Sequence, residues 1–185
     1  MTVFRKSVSW SRFQLALTCP LKLQNTLDKV WAPSSGWNKY AAMGKLVQKV
    51  FELYFNNDLN LNPKGRDPAV LIRILDKVLA SKWAADELID ETFREDAIPQ
   101  LVCGYEQFQS QKLLGYRIRS EVAVKGAHEG FRMSGQLDFL IEAQHGCLLY
   151  DGKGHAEKNA DAKQLLYYGL ILHSTGRKLV GGDVS

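Results

Sequence analysis

The chain has 185 residues, of which 45% are hydrophobic and 24% charged, with a formal net charge of +4. Those proportions fit a single globular domain, residues 1–185, with its own core, and the lack of any apolar run of about 18 residues excludes a helical membrane span. The start, Met1-Thr-Val-Phe-Arg-Lys-Ser7, has no apolar signal-peptide core, so the expected location is intracellular, that is, cytoplasmic.

Residues 1–115 read as mainly helical and residues 116–185 as sheet and crossover. Ser9 is a helix cap before Trp10, Phe13, Leu15 and Leu17, and Pro20 suits the first turn of another short helix. Trp31 to Trp37 reads as a loop. From Asn38 to about Phe55 the residues Tyr40, Met43, Val47, Val50, Phe51 and Tyr54 recur at three and four, which predicts an amphipathic helix. Asn56 to Pro68 is rich in Asn, Pro and Gly and reads as a loop, followed by helices over Ala69 to Ala80 and Ala85 to Lys112, the latter interrupted near Pro99.

After Gly115 the period changes to two. Ile118, Val122 and Val124 alternate with polar residues, as do Phe131, Met133, Leu137, Phe139 and Ile141, which predicts a hairpin turning around Gly126 to Gly130. Gly146 opens a continuous apolar strand, Cys147 to Tyr150, suited to a sheet centre covered on both faces. A helix from about Asn159 to His173 and a strand beginning at Lys178-Leu-Val180 complete a strand-helix-strand crossover. The fold class is therefore α/β, a mixed central sheet flanked by helices with a helical N-terminal half.

The central strand ends in Asp151-Gly-Lys153, thirteen residues after Asp138. Strand alternation places Asp151 and Lys153 on one face. Hydrolysis of a phosphodiester needs a metal against the non-bridging oxygens, a nucleophilic water, and positive charge where negative charge grows. Asp138, Asp151 and the main-chain carbonyl of Gly152 supply oxygens of the kind magnesium or manganese takes, and Lys153 is the group to orient or deprotonate the water. On spacing alone, an acid and a lysine two apart are far better explained by a surface ion pair, so the surrounding sequence must decide.

Downstream, Gln164 and Tyr168 are four residues apart and share a helix face. The set Gly135-Gln-Leu-Asp138, Asp151-Gly-Lys153 and Gln164-Leu-Leu-Tyr-Tyr168 resembles, in order and spacing, the motifs of the PD-(D/E)XK nuclease superfamily and, within it, the RecB-like branch that includes CRISPR-associated exonucleases. Val8-Ser-Trp-Ser-Arg-Phe13 with Cys19-Pro20, and Gly44-Lys-Leu-Val-Gln48, are similar to the N-terminal segment and helix motif of that branch. The resemblance implies a restriction-endonuclease-like core in which Asp138 and Asp151 bind metal, Lys153 is catalytic, and Gln164 and Tyr168 contact the active site or DNA. Tyr168 has a second reading as an interfacial core aromatic.

The chain departs from the branch at Gln48, where a metal-binding histidine is usual. A glutamine carbonyl is a neutral, weak ligand for a hard cation, and a polar residue at the helix edge is the equal alternative. Glu121 corresponds to a semi-regular family glutamate near the site or is a solvated strand acid. Cys19, Cys103 and Cys147 form no close pair, and with no cysteine after Cys147 the chain cannot build the four-cysteine iron-sulfur cluster of some members. The sequence stops at Gly181-Gly-Asp-Val-Ser185, where members usually continue with more sheet, as either a minimal form or a C-terminally truncated piece.

His128, His145, His155 and His173 lack the paired spacing of a zinc site, and His155 alone lies near the proposed chemistry. No Walker-type phosphate loop is present, so any motor is a separate chain. The resulting expectation is a magnesium- or manganese-dependent deoxyribonuclease acting as an exonuclease on single strands or DNA ends, in repair or defence. Its partners are DNA and, through the resemblance, a helicase, recombination or CRISPR-system protein. The alternatives are a catalytically weakened DNA-binding module of the same fold and an assembly protein whose acids form surface pairs.

Overall fold

The long hairpin that carries Asp138 organises the molecule, because every layer packs on it. The computed structural model of the protein describes residues 8–18, 38–129, 131–151 and 162–184. The helix expected at Pro20, the Trp31 to Trp37 loop, the Cys19-Pro20 segment, and Gly152, Lys153 and His155 lie outside the described residues.

The chain begins with β1 (Val8–Ser9) and α1 (Trp10–Thr18). Ser9 caps this helix, its hydroxyl accepting from the Arg12 N–H at 3.4 Å. Next comes α2 (Lys39–Asn56), capped by the Asn38 side chain on the Tyr40 N–H. Its buried stripe runs through Met43, Leu46, Val50 and Tyr54. Tyr40, expected on that stripe, is 84% exposed, because it sits in the first turn beyond the reach of the packed layer.

The expected loop from Asn56 to Pro68 folds into tight 3-10 turns at Leu59–Leu61 and Pro63–Arg66. Asn60, fully buried, donates to the Leu114 and Tyr116 carbonyls, and the Tyr54 hydroxyl donates to Gly65 O at 2.9 Å. These bonds satisfy main-chain acceptors that the irregular backbone leaves behind.

After α3 (Ala69–Leu79) the expected single helix is divided elsewhere than predicted. A short α4 (Lys82–Asp86) ends before Leu88, which takes a left-handed φ of 59°, and α5 (Arg94–Ser110) then runs unbroken through Pro99. Proline forfeits one helical hydrogen bond. Burial of Ala97, Leu101, Tyr105 and Phe108 on the other face of α5 holds the helix across it.

The hairpin is β2 (Arg117–His128) and β3 (Phe131–Ala143), longer than expected, with strand pairing up to His128↔Phe131 and the reversal at Glu129, φ 48°. Then come β4 (Gly146–Asp151), α6 (Ala162–Ser174) and β5 (Leu179–Val184). β4 and β5 are parallel, as a helix crossover requires, and β3 pairs antiparallel with both β2 and β4. β1 adds in parallel at Met133 and Ser134, a pairing two residues long that no sequence pattern announces. Among the described residues this is one five-stranded mixed sheet. No described helix is long and apolar enough to cross a membrane.

Two apolar clusters cover the two faces. One joins α2, α3 and α5 to Ile118, Phe139, Ile141 and Tyr150, and the other joins α1 and α6 to Val124, Met133, Leu137, Leu140 and Leu149. β4 is thus covered on both sides, as its continuous apolar run predicts. Simple alternation, however, would put Ile118 on the same face as Val124, and Leu137 on the same face as Phe139. They lie in different clusters, so both strands change phase between these residues.

Phe55 is fully buried, its ring 4.8 Å from Phe108 and 5.7 Å from Phe139 between centroids, which ties α2 and α5 to the sheet. Phe55→Ala is expected to cost about 3–5 kcal/mol of unfolding free energy. Chemical denaturation with an unchanged m-value checks this.

Candidate functional site

The phase change has a local cause. Ser120 pairs with Phe139 and Val122 with Leu137, which leaves Glu121 directly opposite Asp138 at the one break in this ladder. Glu121 adopts φ 56°, a left-handed conformation that a residue other than glycine enters at a cost. The pleat is reset there, so that Asp138 and Phe139 both border the α2 and α5 side while Leu137 and Leu140 pack toward α6.

Glu121 is held by two amides. The Gln48 Nε2 donates to its Oε1 and the Gln136 Nε2 to its Oε2. Burial pushes the Glu121 carboxyl above the ordinary carboxylate range, the Gln136 hydrogen bond opposes this, and Glu52 adds to it while Lys49 subtracts. Lys49 itself pairs with Glu52 at 2.8 Å. The acid therefore sits half-buried beside neutral donors, with a second acid across the strand.

Asp138 is half-buried and lines a cavity of about 580 Å³ between the sheet, α2 and α5, together with Gln48. Gln48 thus reaches both the cavity and Glu121, which joins two sequence candidates 73 positions apart. The backbone of Asp151 closes β4 beside Val184. It lies one step beyond the Phe139↔Tyr150 pair, so the register continued by that step sets it opposite Asp138. Gly152 and Lys153 follow directly in sequence and are outside the described residues.

The other motif residues are joined by packing. A Cβ added at Gly135 would lie 2.3 Å from the Tyr168 ring, so only glycine lets α6 approach β3 here. Next to it the Tyr167 hydroxyl donates to Ser134 O at 3.1 Å, and Trp10 and Phe13 of α1 pack on the Tyr167 ring. Tyr168 is 7% exposed within this cluster, and Gln164, one turn earlier, is half-buried. Tyr168 therefore has a packing role whatever else it touches.

Two contributors were missed from sequence. Gln136 orients Glu121, and its signal was its place two residues before Asp138 on the strand. The face of α5 formed by Gln100, Cys103 and Gln107 walls the cavity, and its spacing of three and four was available within a segment in which only Pro99 stood out.

The donor set is oxygen-rich. Asp138, Glu121 and the Gln48 carbonyl are hard ligands of the type magnesium and manganese take, so the residues fit a divalent ion. Among the described residues no three His, Cys, Asp or Glu side chains cluster as a metal site, and the Asp151 side chain and Gly152 are outside that description.

Gly135→Ala should destabilise the fold by about 1–3 kcal/mol, because the Tyr168 ring is buried and has nowhere to go; thermal or denaturant unfolding measures it. For Glu121 the sign follows from its raised pKa. Below the ordinary glutamate range the carboxyl is neutral in both folded and unfolded chains. As pH rises through the raised native value, the folded chain must carry a charge that burial disfavours, and stability is lost. In chelator, the wild-type melting temperature is therefore expected to carry a component that falls as pH rises from the acid range to neutral, and Glu121→Gln, which cannot ionise, should lack that component.

No curated protein matches the chain. A family model, the PD-(D/E)XK nuclease superfamily, matches residues 7–184, which takes in β1, the whole hairpin, Asp151 and the crossover. The helix-flanked mixed sheet is the restriction-endonuclease-like arrangement, with Asp138 and the end of β4 as adjacent positions on its central strands. By that match and this architecture, the chain belongs to the PD-(D/E)XK nuclease superfamily.

Proposed function

We propose that the protein is a divalent-metal-dependent deoxyribonuclease of the RecB-like branch, acting as an exonuclease on single strands or DNA ends. The observation that carries the reading is that Asp138 and Gln48 line one cavity, with Glu121 bonded to Gln48 and opposite Asp138 in the ladder, and the end of β4 alongside. Members of the superfamily generally use divalent metals. A bound magnesium or manganese ion supplies charge neutralisation at the scissile phosphate and an acidified water.

In this reading Asp138, Asp151 and the Gly152 carbonyl hold the ion, and Glu121 and Gln48 complete the donor set. Gln136 keeps Glu121 turned toward that set by donating to its outer oxygen. Lys153 takes or orients the proton of the attacking water and steadies the negative charge that grows on the phosphate. Gln164 presents an amide to substrate from α6, and Tyr168 supports it while packed on Gly135. Phe51, Phe108 and Tyr150 give one wall of the cavity an aromatic lining.

A second reading, a DNA-binding module with weakened catalysis, is favoured by one residue: Gln48, at the cavity, has only a neutral carbonyl oxygen with which to ligate a hard cation. Both readings are tested together. Labelled single- and double-stranded DNA is incubated with magnesium or manganese and wild type, Asp138→Ala, Asp151→Ala or Lys153→Ala. The nuclease reading expects cleavage abolished by chelator and lowered by about 10²–10⁴-fold in each variant. Equal cleavage by all four proteins, or none by wild type, sinks it. Tight, salt-sensitive DNA binding without turnover, together with cleavage gained by Gln48→His, would establish the weakened module instead.

A further inference from the structure

The cavity at Asp138 extends well past the acids. Its volume of about 580 Å³ lies within the ~300–1,000 Å³ of small-ligand pockets. Its far wall is α5, where Gln100, Cys103 and Gln107 fall on one face over two turns, exposed toward the opening. Among the described residues no lysine or arginine lines it, and Asp138 is its one charged side chain. Such a wall does not suit phosphate, which is held by cations and backbone N–H groups.

It does suit a nucleobase. Each glutamine amide carries donors and an acceptor, the complement of a base edge. The Gln100 Nε2 makes only a 3.4 Å contact to Asp96 O in its own helix, a long bond that a base edge would replace. On the opposite wall Gly44 is a mid-helix glycine whose added Cβ would meet nothing within 4 Å. Glycine there weakens α2 relative to alanine and is not demanded by packing. Its effect is to keep the cavity mouth open one turn from Gln48.

We infer that the α5 side of this cavity is a binding subsite for an unpaired nucleobase, read by Gln100 and Gln107, next to the phosphate that Asp138 serves. The inference rests on the nuclease reading of Asp138 and adds the substrate feature: a base stacked and paired in a duplex cannot enter a cavity without being extruded, so a single strand or a frayed end fills the subsite. Polarity of attack then depends on which nucleotide, relative to the scissile bond, occupies it.

Cys103 reports occupancy without turnover, because it is exposed on this wall whereas Cys147 is buried. The full chain in chelator is treated with a small alkylating reagent, and Cys103 modification is followed by peptide mass spectrometry. The additions are a short single-stranded oligonucleotide, an abasic strand of the same length and charge, and a blunt duplex. Single strand is expected to slow Cys103 alkylation about tenfold, with abasic strand and duplex giving little protection. Gln100→Ala with Gln107→Ala should weaken binding of the base-bearing strand roughly fivefold to tenfold and leave the abasic strand unchanged. Equal protection by abasic and base-bearing strands, no protection by either, or unchanged affinity of the double variant would overturn the subsite. Because no strand is cut, protection of Cys103 alongside absent nuclease activity refutes the catalytic reading alone, and cleavage without protection refutes the subsite alone.

Discussion

The constraint on which the molecule depends is a carboxylate placed where backbone and solvent both resist it. Glu121 combines a left-handed φ of 56° with half-burial and faces Asp138 across the ladder. Both costs are tolerated because two glutamine amides, from α2 and from the paired strand, enclose its two oxygens. Hydrogen bonds to a partly buried charge are stronger than those between neutral groups. Losing the Gln48 amide would leave an acceptor without its partner in a part-buried position. The position is therefore fixed from three elements, and Gln48, one of the groups that fix it, also lines the cavity.

The same position lets one hairpin serve two cores. Toward Arg117 and Ala143 the strands turn Ile118, Phe139 and Ile141 to the aromatic layer of α2 and α5. Toward His128 and Phe131 they turn Val124, Met133 and Leu137 to α6 and α1. A regular hairpin would have presented one apolar face to one layer and the other face to solvent. Resetting the pleat at the acids buries both halves, and Asp138 emerges at the seam between the layers. Irregular ladders next to functional positions are a recurring device for re-aiming a side chain. The Gly135 and Tyr168 contact holds the other side of the seam, as it brings α6 down against the strand three residues before Asp138.

Much of this was legible in the sequence. The α2 helix, the hairpin, the apolar β4 and the crossover follow from periodicity, since burial against one layer demands a matching repeat. Asp138 and the Asp151 end of β4 were legible as motif residues, and their register neighbours them. Other features were not. Tyr40 has the right spacing and stays exposed, because a periodic stripe does not say where the neighbouring layer stops. Pro99 looked like a break, and the break came at Leu88, where a left-handed residue between two capped turns decided it. Gln136 and the Gln100 face of α5 were passed over, since an amide takes its meaning from the group it reaches.

The sequence by itself determined the long periodic elements, the family motifs and the identity of the acids, all properties of local pattern and chemical type. Only the tertiary structure decided that Gln48 and Glu121 are partners, that the hairpin changes face at Glu121 and Asp138, and that α5 walls the cavity beside them. The reason is physical. Alternation and helical period describe a segment against an averaged environment, whereas these features arise where segments distant in sequence must satisfy one another's buried polar groups.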